Sequence, residues 1–400
     1  MLKEDNPYAP GAGTMPPELA GRDDILSDAR ATIKRVQKGR SSKSFVFVGL
    51  RGVGKTVLLN EGIRIAEELG CRTITVEAHD RKSLPELLVP ELRRLLISMD
   101  GMAKATEATK RALRVFRSFV GSLKLKIGEI DLGISLQPEK GAADSGDLES
   151  DLPALFLAVG EAAKSRDATI VLAIDELQYL DELELSALIM AVHKIAQRAL
   201  PLLMIGAGLP QLIGQMGASK SYSERLFQFV KIGELSAEDA RSALKEPAER
   251  EHVKYTKQSL DRIIEVTRGY PYFLQEWGFH AWNAAEKSPI TEDDAIVATE
   301  VATASLDESF FRVRLDRLTP RERDYLRAMA ELGPGPHRSG DIAEVLGVKV
   351  ESVAPLRGNL IRKGMIYSQQ HGDTAFTVPL FDQYMKRAVP NLPKPRSKRT

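Results

Sequence analysis

The chain has 400 residues, of which 43 % are hydrophobic and 28 % are charged, and it contains one cysteine, Cys71. This length predicts about two to four domains, and the composition excludes a disordered, collagen-like or disulfide-stabilised protein. A single cysteine provides neither an internal disulfide nor a thiolate zinc site, and the sequence has no apolar run of signal-peptide or membrane-spanning length. We therefore expect a cytoplasmic protein that is not a membrane protein.

Charge is distributed unevenly along the chain. Residues 318–400 carry fourteen Lys and Arg against eight Asp and Glu, a net charge of +6, whereas the remainder carries −5. This asymmetry indicates a basic module at the C-terminal end.

The first 235 residues predict an arm followed by an α/β domain. Residues 1–20 are rich in Pro and Gly, which favours an extended arm leading into a helix from Asp23 to Val36. Over 21–235, apolar runs alternate with helical stretches. These runs are Ser44–Val48, Thr73–Val76, Thr169–Ile174 and Leu202–Ile205. Nearly continuous apolar strands separated by helices are typical of a parallel sheet sandwiched by helices.

A hairpin insertion is predicted within residues 121–150. Apolar and polar residues alternate over 123–127 and again over 130–136, and Gly128-Glu129 between them suits a two-residue type II′ turn. The polar segment 137–151 that follows predicts a mobile loop.

The last part of the chain predicts two further domains and a tail. Residues 236–310 lack strand patterns and predict an all-helical lid, with helix caps at Ser236 and Thr291. At Thr319 a third cap is followed by a proline in the first helical position, which begins a module over 318–390. Residues 391–400 form a basic tail, which either contacts DNA backbone or is a solvated terminus.

A phosphate-binding motif follows the first apolar run. Residues 49–56, Gly-Leu-Arg-Gly-Val-Gly-Lys-Thr, match GxxxxGK[ST], the Walker A pattern, between a strand and a helix. Glycines let backbone N–H groups approach phosphate oxygens, Lys55 suits the β- and γ-phosphates, and the Thr56 hydroxyl suits Mg²⁺. The predicted nucleotide-binding residues are Gly49, Leu50, Arg51, Gly52, Val53, Gly54, Lys55, Thr56 and Val57. The alternative is a glycine-rich structural turn.

An acidic pair ends the third apolar run. Asp175 and Glu176 follow it directly, at the strand edge where ligands of open α/β sheets bind. In this Walker B interpretation Asp175 holds Mg²⁺ and Glu176 polarises the attacking water; the alternative is a helix N-cap with an acidic first turn. The chain lacks an Asn-Lys pair of the kind that reads guanine, so ATP is favoured over GTP.

These motifs and their order resemble a known class of proteins. A phosphate loop, an Asp-Glu strand end, a helical segment and a basic C-terminal module occur in sequence in the AAA+ and STAND P-loop ATPases, and more closely in Orc1/Cdc6-like and archaeal-type ATPases with a C-terminal winged helix. Gly21-Arg22-Asp23 is similar to the box that opens this class. The resemblance covers most of residues 15–390 and implies a five-stranded sheet of order 5-1-4-3-2, with the Leu202–Ile205 strand between the phosphate-loop and acidic strands.

Two features depart from this pattern. AAA+ proteins carry a polar sensor at the end of the fourth strand, where this chain has Gly206-Ala207-Gly208, so we expect slow hydrolysis. Gly269-Tyr270-Pro271 resembles an element that brings Pro271 close to the nucleotide in STAND-type lids. Tyr272 follows it, where related ATPases place an arginine.

Arg225 is the candidate for the missing positive charge. The resemblance places it at the γ-phosphate or at a neighbouring subunit of a nucleotide-dependent homo-oligomer, a role worth about 10³ to 10⁵ in rate where an arginine finger acts. The alternative is a surface salt bridge with Glu224 or Asp239.

The C-terminal module predicts a winged helix-turn-helix. A capped helix, a short helix ended by Gly347 and a helix over 349–363 are followed by two strands around a turn at residues 370–373. Pro355 could begin the third helix, which would shift its usable face. The predicted DNA contacts are Lys349, Ser352, Arg357, Asn359, Arg362, Lys363 and His371. The alternative is a protein-docking or autoinhibitory module.

Two functions therefore remain open. In the first, an ATPase controls the binding of its winged helix to double-stranded DNA through its nucleotide state. In the second, the chain is a STAND-type signalling switch that the winged helix holds inactive. A nucleotide shifts such an equilibrium only through a difference in affinity for the two states.

Overall fold

A computed structural model describes residues 1–100, 106–122, 137–368 and 372–392. The chain divides into two compact units. We call the first the α/β unit; it comprises Arg22–Gly49 and Lys55–Ile232. We call the second the C-terminal unit; it comprises Met1–Gly21, Leu50–Gly54 and Gly233–Thr400. Among the described residues, no helix combines the length and the apolar character that crossing a bilayer requires.

The α/β unit is built on a parallel sheet. Its strands are β1 (Ser44–Val48), β2 (Arg72–Glu77), β3 (Ile170–Asp175), β4 (Leu202–Gly208) and β5 (Phe227–Lys231). The spatial order is β2-β3-β4-β1-β5, and every neighbouring pair is parallel. This is the 5-1-4-3-2 order that the resemblance implies. The four predicted apolar runs are β1 to β4, whereas β5 includes Gln228 and has only a short apolar pattern.

Helices cover both faces of this sheet. They are α1 (Asp23–Gln37), α2 (Lys55–Glu68), α3 (Leu84–Asp100), α4 (Glu107–Ser122), α5 (Leu148–Ser165), α6 (Glu182–Gln197), α7 (Leu212–Ser219) and α8 (Ser223–Leu226). Met204 of β4 joins the apolar cluster formed with α3 to α6, while its neighbour Ile205 points towards Gly62 of α2. Because successive strand residues face opposite ways, the central strands are buried on both sides.

The segment around the predicted insertion differs from expectation. The predicted hairpin over 123–136 lies outside the described residues. The prediction of a mobile loop over 137–151 is wrong in its last part, because α5 begins at Leu148. Asp147 caps this helix, and the buried Asp151 carboxylate accepts hydrogen bonds from the backbone N–H groups of Ser145 and Gly146. The acidic residues that give the segment its loop-like composition are bonded to backbone N–H groups.

The lid region of the C-terminal unit is helical, as predicted. Its helices are α9 (Ala237–Arg250), α10 (Lys257–Thr267), α11 (Pro271–Ala284) and α12 (Glu292–Ser305), followed by a π-helical turn (Leu306–Phe311) and α13 (Arg312–Asp316). Ser236 and Thr291 cap α9 and α12 through their hydroxyl groups.

The N-terminal arm packs against the lid helices. The Asn6 amide donates to the carbonyl of Phe279 at 3.0 Å, and the buried Tyr8 hydroxyl donates to the carbonyl of Leu244. Because Tyr8 lies against Gly278 of α11, where a Cβ would approach its ring to 2.7 Å, a glycine is required at this point.

The winged helix-turn-helix is present in residues 318–392. Its helices are α14 (Pro320–Glu331), α15 (Ser339–Leu346), α16 (Val350–Arg362) and α17 (Phe381–Ala388), and its strands are β6 (His337–Arg338), β7 (Ile366–Tyr367) and β8 (Asp373–Phe376). The sheet order is β6-β8-β7, with antiparallel pairs. Thr319 and Glu322 form the predicted capping box. A helix start at Pro355 is wrong, since α16 already begins at Val350 and contains Pro355 inside it.

Candidate nucleotide-binding site

The α/β unit brings the start of α2 to the end of β3. Lys55 and Thr56 open α2, and Asp175 is the last residue of β3. The Thr56 hydroxyl donates to a carboxylate oxygen of Asp175 at 2.6 Å. Lys55 is 7 % exposed and Asp175 is 8 % exposed. Residues 119 positions apart in the chain therefore form one polar centre at the carboxyl edge of the sheet, where the sequence predicts the Mg²⁺ site.

The surroundings of Asp175 disfavour the ionised form of its carboxylate. Burial raises its pKa, and the negative charge of Glu176 adds to this effect. The hydrogen bond from Thr56 and the charge of Lys55 act in the opposite direction. Because the net pKa is still raised, the site favours an additional cation near this carboxylate.

These donors suit a magnesium ion. A threonine hydroxyl and a carboxylate are hard oxygen ligands, and Mg²⁺ commonly takes one or two such protein ligands together with phosphate oxygens and water. Within the described ranges no group of three or more His, Cys, Asp or Glu side chains forms a separate metal site. Two protein ligands of this kind leave the other positions around such an ion to phosphate oxygens and water.

Glu176 has an unusual backbone conformation. Its φ of 54° and ψ of 38° lie in the left-handed region, which costs a non-glycine residue about 1 kcal/mol or more. Its N–H donates to Asp175 at 2.7 Å. The 3-10 turn that follows (Leu177–Tyr179) has no side-chain cap, and the next helix, α6, is capped by Asp181. The geometry therefore does not use the acidic pair as a helix cap.

Gln178 is a site residue that the sequence analysis missed. Its side-chain Nε2 donates to Glu176 Oε2, and its Oε1 accepts the N–H of Leu209 at 2.9 Å. Leu209 directly follows β4, so Gln178 connects the acidic pair with the end of the neighbouring strand. The signal available in the sequence was an amide two residues after the Asp-Glu pair.

Steric crowding explains why the chain has glycines at the expected sensor position. A Cβ on Gly206 would lie 2.4 Å from Leu177, and one on Gly208 would lie 2.7 Å from Leu212 and 2.9 Å from the Gln178 side-chain oxygen. The 3-10 turn therefore packs so closely on the end of β4 that a polar sensor side chain has no room there.

The middle of the phosphate loop belongs to the C-terminal unit. Gly52 and Gly54 have φ values of 87° and 94°, which only glycine adopts readily. The N–H of Tyr272 donates to the carbonyl of Gly52 at 3.1 Å, and the Tyr270 hydroxyl donates to the carbonyl of Arg51. Pro271 between them is the first residue of α11. The element predicted to approach the nucleotide thus contacts the phosphate loop itself.

The winged helix contacts the same loop. The N–H of Arg51 donates to the carbonyl of Thr377 at 3.1 Å, just after β8. A Cβ on Gly364 would lie 2.7 Å from the Arg51 guanidinium. Arg314 is a second cation close to Arg51. Its burial and the positive charge of Arg51 lower the Arg314 pKa to about 10. Arg314 could not be identified from the sequence, because partners such as Arg51 are distant in the chain.

The other predicted residues fall in different environments. Gly49 donates its N–H to the carbonyl of Gly208 at 3.2 Å, and Val53 and Val57 are buried. Arg225 lies in the short helix α8 and is exposed.

The described residues that are predicted to contact DNA are exposed or half-buried, and several of them also form hydrogen bonds within the winged helix. Lys349, Ser352 and Arg362 are exposed on α16 or at its start, and Arg362 bonds to Asn359. Arg357 donates to the Ser368 hydroxyl at 2.8 Å.

Lys363 has a partner within the winged helix. Its Nζ lies 2.7 Å from the carboxylate of Glu322, whose side chain is 2 % exposed. His371 lies outside the described residues.

Comparisons with known proteins agree with this architecture. Residues 18–205 match the AAA ATPase domain family, and residues 308–385 match a family described as a domain of unknown function, DUF8462. The uncharacterized HTH-type transcriptional regulator MJ0774 of Methanocaldococcus jannaschii is 24 % identical over 342 residues, which cover 82 % of this chain and 79 % of that protein.

Solved structures show the fold. The Walker-type ATPase PABY2304 of Pyrococcus abyssi is 16 % identical, with a TM-score of 0.59 over 94 % of this chain and 98 % of that chain. The Orc1 protein of Aeropyrum pernix in complex with DNA is 14 % identical, with a TM-score of 0.47 over 93 % and 94 % of the two chains. The resemblance inferred from the motifs is confirmed: the chain has the fold of a Walker-type P-loop ATPase, and its residues 18–205 match the AAA ATPase domain family.

Proposed function

We propose that the protein binds Mg-ATP, hydrolyses it slowly, and uses its nucleotide state to control DNA binding by the winged helix. The observation that carries the nucleotide part is the 2.6 Å hydrogen bond between Thr56 and Asp175, directly after a GxxxxGK[ST] loop. This hydrogen bond supports nucleotide binding because it brings together the two motifs of an ATPase site from distant parts of the chain.

The residues have distinct chemical roles in this proposal. Mg²⁺, when bound through Thr56 and Asp175, would neutralise charge on the phosphates. Lys55 places its positive charge at the β- and γ-phosphates. Glu176 accepts a proton from the attacking water, whose oxygen bonds to the terminal phosphorus as the bond to ADP breaks and ADP keeps the electron pair. The proton then passes from Glu176 to the product phosphate.

The DNA part rests on the winged helix and its exposed cations. Lys349 and Arg362 are exposed at opposite ends of α16, the helix that enters the major groove in helix-turn-helix proteins. The HTH-type name of the relative MJ0774 supports this assignment. Because ATP and duplex DNA are its proposed ligands, we place the protein in the cytoplasm.

A specific contact supports control by nucleotide. The hydrogen bond from the N–H of Arg51 to the carbonyl of Thr377 joins the phosphate loop to the residue that follows β8, a strand of the wing. A movement of the loop upon ATP binding would therefore shift or break a contact with the winged helix. The same contact favours the second candidate function, a STAND-type switch in which the winged helix restrains the nucleotide site.

Duplex binding measured over a salt series, with ATP, with ADP and without nucleotide, separates the two functions. For the DNA-associated ATPase we expect salt-dependent binding whose affinity changes with the nucleotide. Lys349→Ala combined with Arg362→Ala should reduce the slope of log K against log[salt] by about two, since each neutralised phosphate contributes close to −0.9.

The switch predicts a different set of results. Duplex binding would be absent at physiological salt in every nucleotide state, and a chain lacking residues 318–400 would exchange ATP faster. If that shortened chain binds duplex as tightly as the full protein, the assignment of DNA binding to the winged helix is wrong.

A further inference from the structure

The Gln178 side chain is bonded at both of its polar atoms. Its Nε2 donates to the carboxylate of Glu176, and its Oε1 accepts the N–H of Leu209 at 2.9 Å. A glutamine amide has one donor and one acceptor end, so two opposite partners fix its orientation. The amide cannot turn over without losing both hydrogen bonds.

The backbone around Gln178 is also held firmly. Leu177 is fully buried, and the turn packs against the end of β4 so tightly that Gly206 and Gly208 have no room for a Cβ. Glu176 itself has a left-handed backbone conformation, and its N–H donates to the Asp175 carboxylate. A rigid turn is a suitable support for a side chain that must keep another group in place.

We propose that Gln178 is a positioning residue for ATP hydrolysis, which holds the Glu176 carboxylate in the orientation that accepts the proton of the attacking water. This inference rests on the proposed function, in which Glu176 is the base. Gln178 lies in the 3-10 turn after β3, and its side-chain oxygen fills the space beside Gly208, where a Cβ would lie 2.9 Å from it.

The hydrogen bond has a definite physical effect on Glu176. A glutamate carboxylate rotates about three side-chain bonds, and a donor at one oxygen restricts that rotation. This restriction acts on the catalytic step and leaves Lys55 and Thr56, the residues proposed to hold the phosphates and Mg²⁺, unchanged. Removal of Gln178 should therefore lower kcat without weakening ATP binding.

A double-mutant cycle on the full chain tests this proposal. Gln178→Met keeps the length of the side chain and removes both hydrogen bonds. We expect kcat to fall about 10- to 100-fold, the range for losing a hydrogen bond to a charged group, with KM within about twofold of wild type. Gln215→Met, at an exposed position on α7, is the control and should leave kcat unchanged.

A second variant distinguishes positioning from a structural role. Gln178→Glu retains an acceptor for Leu209 but cannot donate to Glu176 when ionised. We expect it to lose kcat as Gln178→Met does. Recovery of wild-type kcat in Gln178→Glu would show that only the bond to Leu209 matters and would overturn the proposal.

The cycle is completed by Glu176→Gln and the double variant. If Gln178 acts through Glu176, the double variant should be no slower than Glu176→Gln alone. A further loss of the same size as in the single Gln178 variant would contradict the inference while leaving Glu176 as the base. Equal turnover in wild type and Glu176→Gln would instead overturn the proposed function itself, and this inference with it.

Discussion

At the scale of single residues, the site combines a buried carboxylate with a strained backbone. Asp175 is buried beside Lys55, Thr56 and Glu176, and Glu176 has a positive φ. Such arrangements cost stability and persist where the surrounding structure imposes them. We therefore expect substitutions at this site to affect stability and ligand binding in opposite directions.

Asp175→Asn tests this opposition. Burial raises the folded-state pKa of Asp175 above the ordinary value of 3.8, so the folded protein binds this proton more tightly than the unfolded chain. The associated stability is present below pH 3.8 and is lost as the pH rises through the folded pKa. Asparagine carries no such charge and still accepts a hydrogen bond from Thr56.

The measurement is thermal unfolding without nucleotide at pH 4 and pH 7. The melting temperature of Asp175→Asn should exceed that of wild type by more at pH 7 than at pH 4, while its stabilisation by Mg-ATP should be lost. A variant less stable than wild type at pH 7 would show that the ionised carboxylate stabilises the fold.

At the scale of elements, the winged helix depends on an ion pair between two helices. Glu322 completes the capping box of α14 by accepting the N–H of Thr319. Its carboxylate also bonds to Lys363 at the end of α16. Burial would raise the pKa of Glu322, but Lys363 and Thr319 outweigh it and the pKa is lowered. The carboxylate therefore stabilises the native state as an ion.

Lys363→Met should destabilise the protein. It leaves the Glu322 carboxylate buried without its cation, which we expect to lower the free energy of unfolding by about 1 to 3 kcal/mol. The neighbouring Arg362→Met is the matched control, since Arg362 bonds to Asn359 on its own helix and not to the buried Glu322 carboxylate, and its effect should be within about 0.5 kcal/mol. Denaturant unfolding measures both. Equal effects of the two substitutions would argue that Lys363 is a surface cation available to DNA.

Features that are encoded locally could be predicted from the sequence, whereas contacts between distant residues could not. Strands β1 to β4 were predictable because each is an apolar run bounded by turn or acidic residues, and the site residues Lys55, Thr56 and Asp175 follow from local motifs. Gln178 was not, because its function depends on Leu209, which is 31 residues away in the chain. The pairing of Lys363 with Glu322 was missed for the same reason, since 41 residues separate them.

At the scale of the whole molecule, residues 50–54 of the phosphate loop contact the lid and the winged helix. Residues 50–54 belong to the C-terminal unit, where Tyr270, Tyr272 and Thr377 bond to the backbone of Arg51 and Gly52. The lid and the winged helix thus contact the segment that the sequence assigns to phosphate binding. The proposed control of the winged helix by nucleotide therefore depends on nucleotide binding at this loop.

The most direct test is stabilisation by Mg-ATP in wild type and in Lys55→Met. Methionine is used because Lys55 is 7 % exposed and its stem contributes to packing. A ligand at about 100 times its Kd should stabilise wild type by about 2.7 kcal/mol, and the variant should show almost none of this effect. If Mg-ATP stabilises the Lys55→Met protein as much as wild type, the nucleotide site assigned to residues 49–57 is wrong.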